Sequence, residues 1–219
     1  YAEDIGREMF RRYRTARTPE DLRDAGFDAS LIWGHRVANR AVDFLETVGE
    51  DPFTLVVSFD EPHGPFVAPP EYWEAFRPED VPKPPNFGAP LMHKPELQQV
   101  HRDAFGEPDW EAFAARKARH FACNSYIDRE IGRVIESVEA LHGDDTMILY
   151  TSDHGDMMGA HGLHSKGPMM YEEITNIPFI VRLPGGPEGA VSRSPVSHVD
   201  ILPTMLDLMG HDAPPSLHG

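Results

Sequence analysis

Two short apolar runs, each stopping abruptly on acidic and imidazole side chains, constrain the fold of this chain more than any other feature. Phe53-Thr54-Leu55-Val56-Val57-Ser58-Phe59 runs into Asp60-Glu61-Pro62-His63-Gly64-Pro65, and Met147-Ile148-Leu149-Tyr150-Thr151-Ser152 runs into Asp153-His154-Gly155. Short, apolar, β-branched runs bounded by turn residues are the pattern of strands buried on both faces, and such strands need helices above and below them. A third run, 177–183, ends at Pro184-Gly185-Gly186. The helices are legible too. Val37, Ala38, Ala41, Val42, Phe44 and Leu45 recur at three-and-four spacing, predicting an amphipathic helix over 32–46. Phe113, Phe121, Ile127, Ile131, Val134, Ile135 and Val138 predict a long one over 110–141, closed by His142-Gly143. A last helix is expected over 201–209, with Asp200 as N-cap and Pro203 in its first turn. This alternation reads as an α/β region with a mostly parallel sheet flanked by helices. In such sheets ligands sit beyond the carboxyl ends of the strands, so the groups after residues 59 and 152 converge if the two strands are parallel neighbours.

The chain of 219 residues and 24.6 kDa fits one domain or one large piece of a bigger domain, and it is read as a single α/β region over 1–219. Ten of its 21 prolines fall between Pro62 and Pro95. That density predicts an extended loop region over 62–108, with one short helix near 71–76. Residues 1–30 are polar and read as surface helix and loop. The balance of 20 basic against 36 acidic residues gives a formal charge of −16, which repels nucleic acid and anionic membranes. The longest apolar stretch is far short of the roughly 20 residues that span a bilayer, and no signal-peptide pattern is found. Neither nucleic acid nor membrane is expected as a partner. The single cysteine, Cys123, has no internal partner and sits in a helical pattern as core; a reducing compartment is favoured, the cytoplasm ahead of the periplasm.

Asp153 and His154 offer a carboxylate and an imidazole on adjacent residues at a glycine turn. Together they suit magnesium, manganese, calcium or zinc, although two ligands do not complete a site. The alternative is a turn cap beside a surface histidine. Lys166, in Gly162-Leu163-His164-Ser165-Lys166-Gly167, can neutralise an oxyanion, or can be a solvated surface lysine. His63 lies between prolines that limit backbone freedom, which presents its side chain as a general acid or an anion clamp. His161 and His164 share the second loop and can be ligands, donors or solvent-facing residues. The methionines at 157, 158, 169 and 170 read as packing.

The stretches Ser58-Phe59-Asp60-Glu61-Pro62-His63-Gly64-Pro65-Phe66, Thr151-Ser152-Asp153-His154-Gly155-Asp156-Met157-Met158-Gly159-Ala160-His161-Gly162-Leu163, Lys166-Gly167-Pro168, Tyr171-Glu172-Glu173 and Ile177-Pro178 resemble the sulfatase family of the alkaline phosphatase superfamily. The resemblance covers roughly residues 35–217 in the family's order. It implies an alkaline-phosphatase-like α/β fold, incomplete in this chain, and metal-assisted hydrolysis of a sulfate ester. Phosphonate and phosphate ester hydrolysis in the same superfamily is the alternative. By the same resemblance Asp153 and His154 are metal ligands, with His154 where many sulfatases have Asn. The metal is one divalent ion, calcium first, with manganese, magnesium or zinc as alternatives. Lys166 and His63 are the catalytic and substrate-binding residues, His161 joins them in binding, and the substrate is a small anionic ester. The family's nucleophile is a formylglycine made in a Cys/Ser-x-Pro-x-Arg motif. Cys123-Asn124-Ser125-Tyr126-Ile127 does not match that motif. The chain is therefore expected to be the C-terminal part of a sulfatase catalytic domain, inactive without the segment that carries the nucleophile. A third reading is a non-catalytic binding domain that keeps the fold.

Overall fold

The structure is a computed structural model and describes residues 2–167 and 169–219; Tyr1 and Pro168, the latter part of the Lys166-Gly167-Pro168 motif, lie outside the described residues. The chain divides into two compact units, Tyr1–Pro184 and Gly185–Gly219.

In the first unit, α1 (Ala2–Tyr13) and α2 (Pro19–Asp24) come first, α2 starting on a Thr18 capping box with Asp21. Two helices then carry the centre: α3 (Trp33–Val48) and α6 (Trp110–His142). Ala38, Ala41 and Leu45 of α3 meet Val134 and Val138 of α6, and the small alanines let the two helices approach closely. A second core cluster joins Tyr13 of α1, Leu22 of α2, Ile32, Val67, Ala68 and Trp73 to Ala122, Tyr126 and Ile127 of α6. Residues 1–30 are thus more than the surface expected of them. Between α3 and α6, the proline-rich segment carries α4 (Pro70–Glu74) and also α5 (Glu96–Phe105), a helix inside the expected loop region. Proline at residue 95 starts α5 rather than breaking it.

The sheet departs from expectation. The described residues hold two strands, β1 (Ile148–Thr151) and β2 (Phe179–Arg182), and these pair antiparallel with Thr151 opposite Phe179, so the mostly parallel sheet is not seen within this span. Residues 53–59 are extended but join no ladder. Phe53, Leu55, Val57 and Phe59 turn inward onto the α3–α6 pair, whereas Thr54, Val56 and Ser58 face out, with Val56 84% exposed. The expectation of two buried faces is corrected to one covered face. A strand is defined by partners for its backbone groups. The apolar run alone could not say whether this span supplies them. Among the described residues no helix is long and apolar enough to cross a membrane.

After α7 (Glu172–Thr175) and β2, the second unit holds a 3₁₀ turn (His198–Asp200) that leads into α8 (Ile201–Leu208). Asp200 stands at the N-cap position of α8, but its side chain makes no cap hydrogen bond there; it accepts instead from the Ser197 N–H at 2.6 Å, as the partner in the Ser197 capping box of the preceding turn.

Candidate active site

The loop that follows residue 59 is held from below. His63 N–H donates to the Asp60 carbonyl at 3.0 Å, closing a turn, and Nδ1 lies 3.0 Å from the Gly64 carbonyl. A carbonyl only accepts, so Nδ1 donates here and Nε2 is left to solvent on an exposed ring. Three residues on, Phe66 is buried with Cys123 of α6 and Met158 of the second loop. Trp73 Nε1 donates to the Phe66 carbonyl at 3.2 Å, and Cys123 Sγ donates to the Val67 carbonyl at 3.6 Å. Burial pushes the Cys123 thiol well above its ordinary range, with the Glu61 charge adding to the effect, so it is a packing group as expected.

The second loop starts where β1 ends. His154 N–H donates to Asp153 Oδ1 at 2.8 Å, and Ser152 Oγ donates to the His154 carbonyl at 3.0 Å. His154 Nδ1 lies 2.8 Å from the Gly155 carbonyl and donates to it, and Nε2 lies 3.5 Å from Asp153 Oδ2. Gly155 N–H donates to the Ile174 carbonyl at 2.8 Å, and a Cβ at position 155 would collide with the Glu173 carbonyl oxygen. Only glycine allows that approach.

From there the chain doubles back: Met157 N–H donates to the Ser165 carbonyl at 2.9 Å and Gly159 N–H to the Leu163 carbonyl at 3.1 Å. Met158, Gly159, His161, Gly162 and Ser165 all take positive φ. The fold-back returns the chain to Met157 at Ser165, and Lys166 follows it as an exposed side chain. Met157, Leu163 and Met169 are buried with Ile174 and Leu91, which bears out the packing role of these methionines, whereas Met170 faces out.

His161 stacks on Tyr171 at 4.2 Å between ring centroids, and its Nε2 takes a hydrogen bond from Asn86 Nδ2 at 3.1 Å. The same Asn86 amide donates to Glu173 Oε1 at 3.1 Å. His161 thereby ties the loop to α7, and its Nδ1 is buried without a partner. His164 lies between Phe105 and Phe113, at 4.6 and 4.1 Å between centroids. Burial first, then the Arg116 and His101 charges, lower its pKa against the opposing pull of Asp156.

The structure thus places Asp153, His154 and Lys166 on one folded-back loop, with Ser165, next to Lys166, bonded to Met157, and joins the His63 loop to that loop through Phe66, Met158 and Cys123. Sequence reasoning missed Arg116. Its guanidinium stands 4.7 Å from the Phe66 ring centroid, its Nε is buried without a hydrogen bond, and its charge lowers the pKa values of both His120 and His164 beneath the larger effect of burial. The signal was the repeat Phe113, Arg116, His120 at three-and-four spacing, a polar stripe beside the apolar one on α6.

As half of a metal site the pair fits: an exposed carboxylate oxygen and the imidazole Nε2 lie 3.5 Å apart. Among the described residues no group of three or more His, Cys, Asp and Glu side chains could hold a metal ion.

Comparison with known proteins bears on the family and the fold. The Sulfatase family model matches residues 13–211. The chain is 42% identical over 202 residues to the uncharacterized sulfatase YidJ of Escherichia coli (strain K12), covering 91% of the chain and 40% of that protein. It is 31% identical over 220 residues to the arylsulfatase of Clostridium perfringens, covering 91% of the chain and 45% of the relative. The phosphonate monoester hydrolase of Silicibacter pomeroyi superposes with a TM-score of 0.70 at 25% identity, over 86% of the chain and 41% of its own. That of Agrobacterium radiobacter gives 0.65 at 29% identity, over 84% and 40%. The chain spans less than half the length of each of these relatives, so its two strands are part of an alkaline-phosphatase-like α/β domain. With the family model matched across both loops that carry the candidate residues, the chain belongs to the sulfatase family.

Proposed function

We propose that this chain supplies the His63, Lys166, Asp153 and His154 quarter of the active site of a sulfuric ester hydrolase acting on a small anionic ester. The observation that supports it most is the buried contact of Phe66, Met158 and Cys123, which fixes the His63 loop against the loop that carries the other three groups. Asp153 and His154 hold one divalent ion, calcium first, which when bound draws charge from a sulfate oxygen. The exposed Lys166 ammonium meets a non-bridging oxygen, where negative charge grows in the transition state. His63, which presents one ring nitrogen to solvent, holds a sulfate oxygen or, when protonated, passes a proton to the leaving alkoxide. His161 acts at one remove, bracing the loop through Tyr171 and Asn86. The nucleophile and the remaining acidic ligands belong to the part of the relatives' length that lies outside this chain.

The test uses the full-length protein. His63→Ala and Lys166→Ala are each expected to lower turnover of an aryl sulfate by about a hundredfold or more, with calcium binding retained. A loss below about tenfold for both removes them from the mechanism. A phosphonate ester hydrolase is the second reading, favoured by the superposition on two phosphonate monoester hydrolases. Matched aryl sulfate and aryl phosphonate substrates decide between them, and an equal or greater phosphonate rate overturns the first reading.

A further inference from the structure

The α3 helix begins without a cap of its own. Its N-cap is Ile32, which offers no side-chain acceptor, so the first-turn N–H groups of a 16-residue helix are left at the positive end of its dipole. The group that faces them comes from a distant loop. A Cβ on Gly34 would stand 3.0 Å from Glu61 Oε2, 2.5 Å from Ile127 Cδ1 and 3.4 Å from Phe59 Cδ1. The space a side chain at 34 would fill is therefore shared by Ile127 Cδ1 of α6, which stands nearest, and the Glu61 carboxylate, with Phe59 at its edge. Burial raises the pKa of Glu61, Asp60 adds to the rise, and the backbone N–H groups of Glu61, Gly34 and Trp33 pull the other way. Cys123 and Tyr126 of α6 both feel the Glu61 charge. Oε2 is fully buried and makes no hydrogen bond.

A buried carboxylate beside a catalytic loop has a high desolvation cost, and nothing in the proposed chemistry uses it directly. Its place in the chain gives it a use. Glu61 lies inside the turn closed by His63 N–H and the Asp60 carbonyl, with only Pro62 between it and His63. Proline leaves little backbone freedom to absorb a shift. A shift of Glu61 is therefore passed on to the backbone at His63.

We propose that Glu61 is a positioning residue: its carboxylate, seated on the N-terminus of α3 in the space left by Gly34, sets the Asp60–His63 turn and so aims the His63 imidazole. The proposal rests on the role given to His63 above, and the experiment separates the two. In the full-length protein, kcat and KM for phenyl sulfate are measured for Glu61→Ala, Glu61→Gln, His63→Ala and the double variant, with thermal unfolding of each. Glu61→Ala is expected to lower kcat by about ten- to a hundredfold with KM within about threefold, and to lower it no more than about threefold further when His63 is already alanine. Glu61→Gln keeps the length and the acceptor oxygen and is expected to retain activity within about fivefold. Where Glu61→Ala does not fold, Glu61→Asp replaces it; the charge stays but falls one methylene short of the seat, and a loss of about tenfold is expected. Equal losses from Glu61→Ala with and without His63 overturn the proposal, because they show a role that does not pass through the imidazole. A loss under about threefold from Glu61→Ala beside a large one from His63→Ala also overturns it, while leaving His63 in place. A loss below about tenfold from His63→Ala itself overturns the reading of His63, and the positioning proposal with it.

Discussion

The two loops that carry the candidate residues are held by different physics. The first, 60–66, is anchored by side chains on helices: Glu61 on the start of α3, and Phe66 against Cys123 of α6 with the Arg116 guanidinium over its ring. The second, 153–166, is anchored by its own backbone, through Gly155 to Ile174, Met157 to Ser165 and Gly159 to Leu163, with five residues at positive φ. Side-chain anchoring tolerates backbone variation but not loss of volume. Backbone anchoring tolerates changes of side chain but not the arrival of a Cβ where the chain passes close to another carbonyl. The difference teaches which substitutions each half of the site can survive.

One substitution made in both loops is the sharpest way to break that comparison. Gly155→Ala places a methyl group against the Glu173 carbonyl oxygen, a backbone atom that no rotamer change can move aside, and threatens the Gly155–Ile174 hydrogen bond. It is expected to cost about 3 kcal/mol or more and to weaken calcium binding at Asp153 and His154. Gly64→Ala, where nothing lies within 4 Å of the new methyl group, is expected to stay within about 0.5 kcal/mol of the parent. Chemical denaturation and calcium titration measure both. Equal costs at the two positions would mean the loops are not held in different ways.

How far the site was legible follows from the same distinction. Asp153-His154-Gly155 and His63 were readable because they sit where apolar runs stop, and a stop of that kind is local in sequence. The helices α3 and α6 were readable from their period, with ends within one or two residues of those expected. What was not readable depends on partners distant in sequence. The 53–59 run looked buried on both faces because its apolar content is continuous, yet Val56 faces out and the segment joins no ladder within this span. The direction of β1 and β2 is likewise a pairing property that neither strand encodes alone. Arg116 was hidden because the helix was read only for its apolar face; His161 was singled out, but its contacts were not legible, because Asn86 and Tyr171 lie 75 residues away on one side and ten on the other. Glu61 was visible as the second residue of a motif, but Gly34 explains it only once α3 and the loop are brought together.

A smaller effect tests the second loop from its histidine side. In the folded chain His164 has its pKa lowered, by burial first, with Arg116 and His101 adding to it and Asp156 opposing. His120, on α6 beneath Phe66, is lowered in the same direction, again chiefly by burial. A histidine depressed in the folded state binds fewer protons there than in the unfolded chain, so stability rises with pH through this window. The contribution is fully present above the unfolded value of about 6.5 and is lost as pH falls through the folded value. The unfolding midpoint is therefore expected to drop between pH 7.5 and pH 5.5. His164→Phe, which keeps a ring between Phe105 and Phe113, is expected to flatten part of that slope. Thermal unfolding across the range measures it, and a slope unchanged in this variant would assign the pH dependence to His120 and the first loop's support instead.

The smallest expected effect isolates the helix on which the first loop rests. Gly132 lies inside α6 with nothing within 4 Å of where a methyl group would stand and no positive φ, so it contributes backbone freedom to the unfolded chain and no packing to the folded one. Gly132→Ala is expected to stabilise the protein by about 0.5–1 kcal/mol and to raise the unfolding midpoint by roughly 1–4 °C. The more telling readout is where the protection falls. Phe66 leans on His120, Cys123 and Arg116, all of α6, whereas the second loop is closed chiefly by its own backbone and α7 and meets α6 only through the side chains of Met158 and His164. Amide exchange through local opening should therefore slow more at 60–68 than at 155–166. Equal slowing in both segments would show that they open as one cooperative unit, and the separation between side-chain and backbone anchoring would then describe their contacts but not their dynamics.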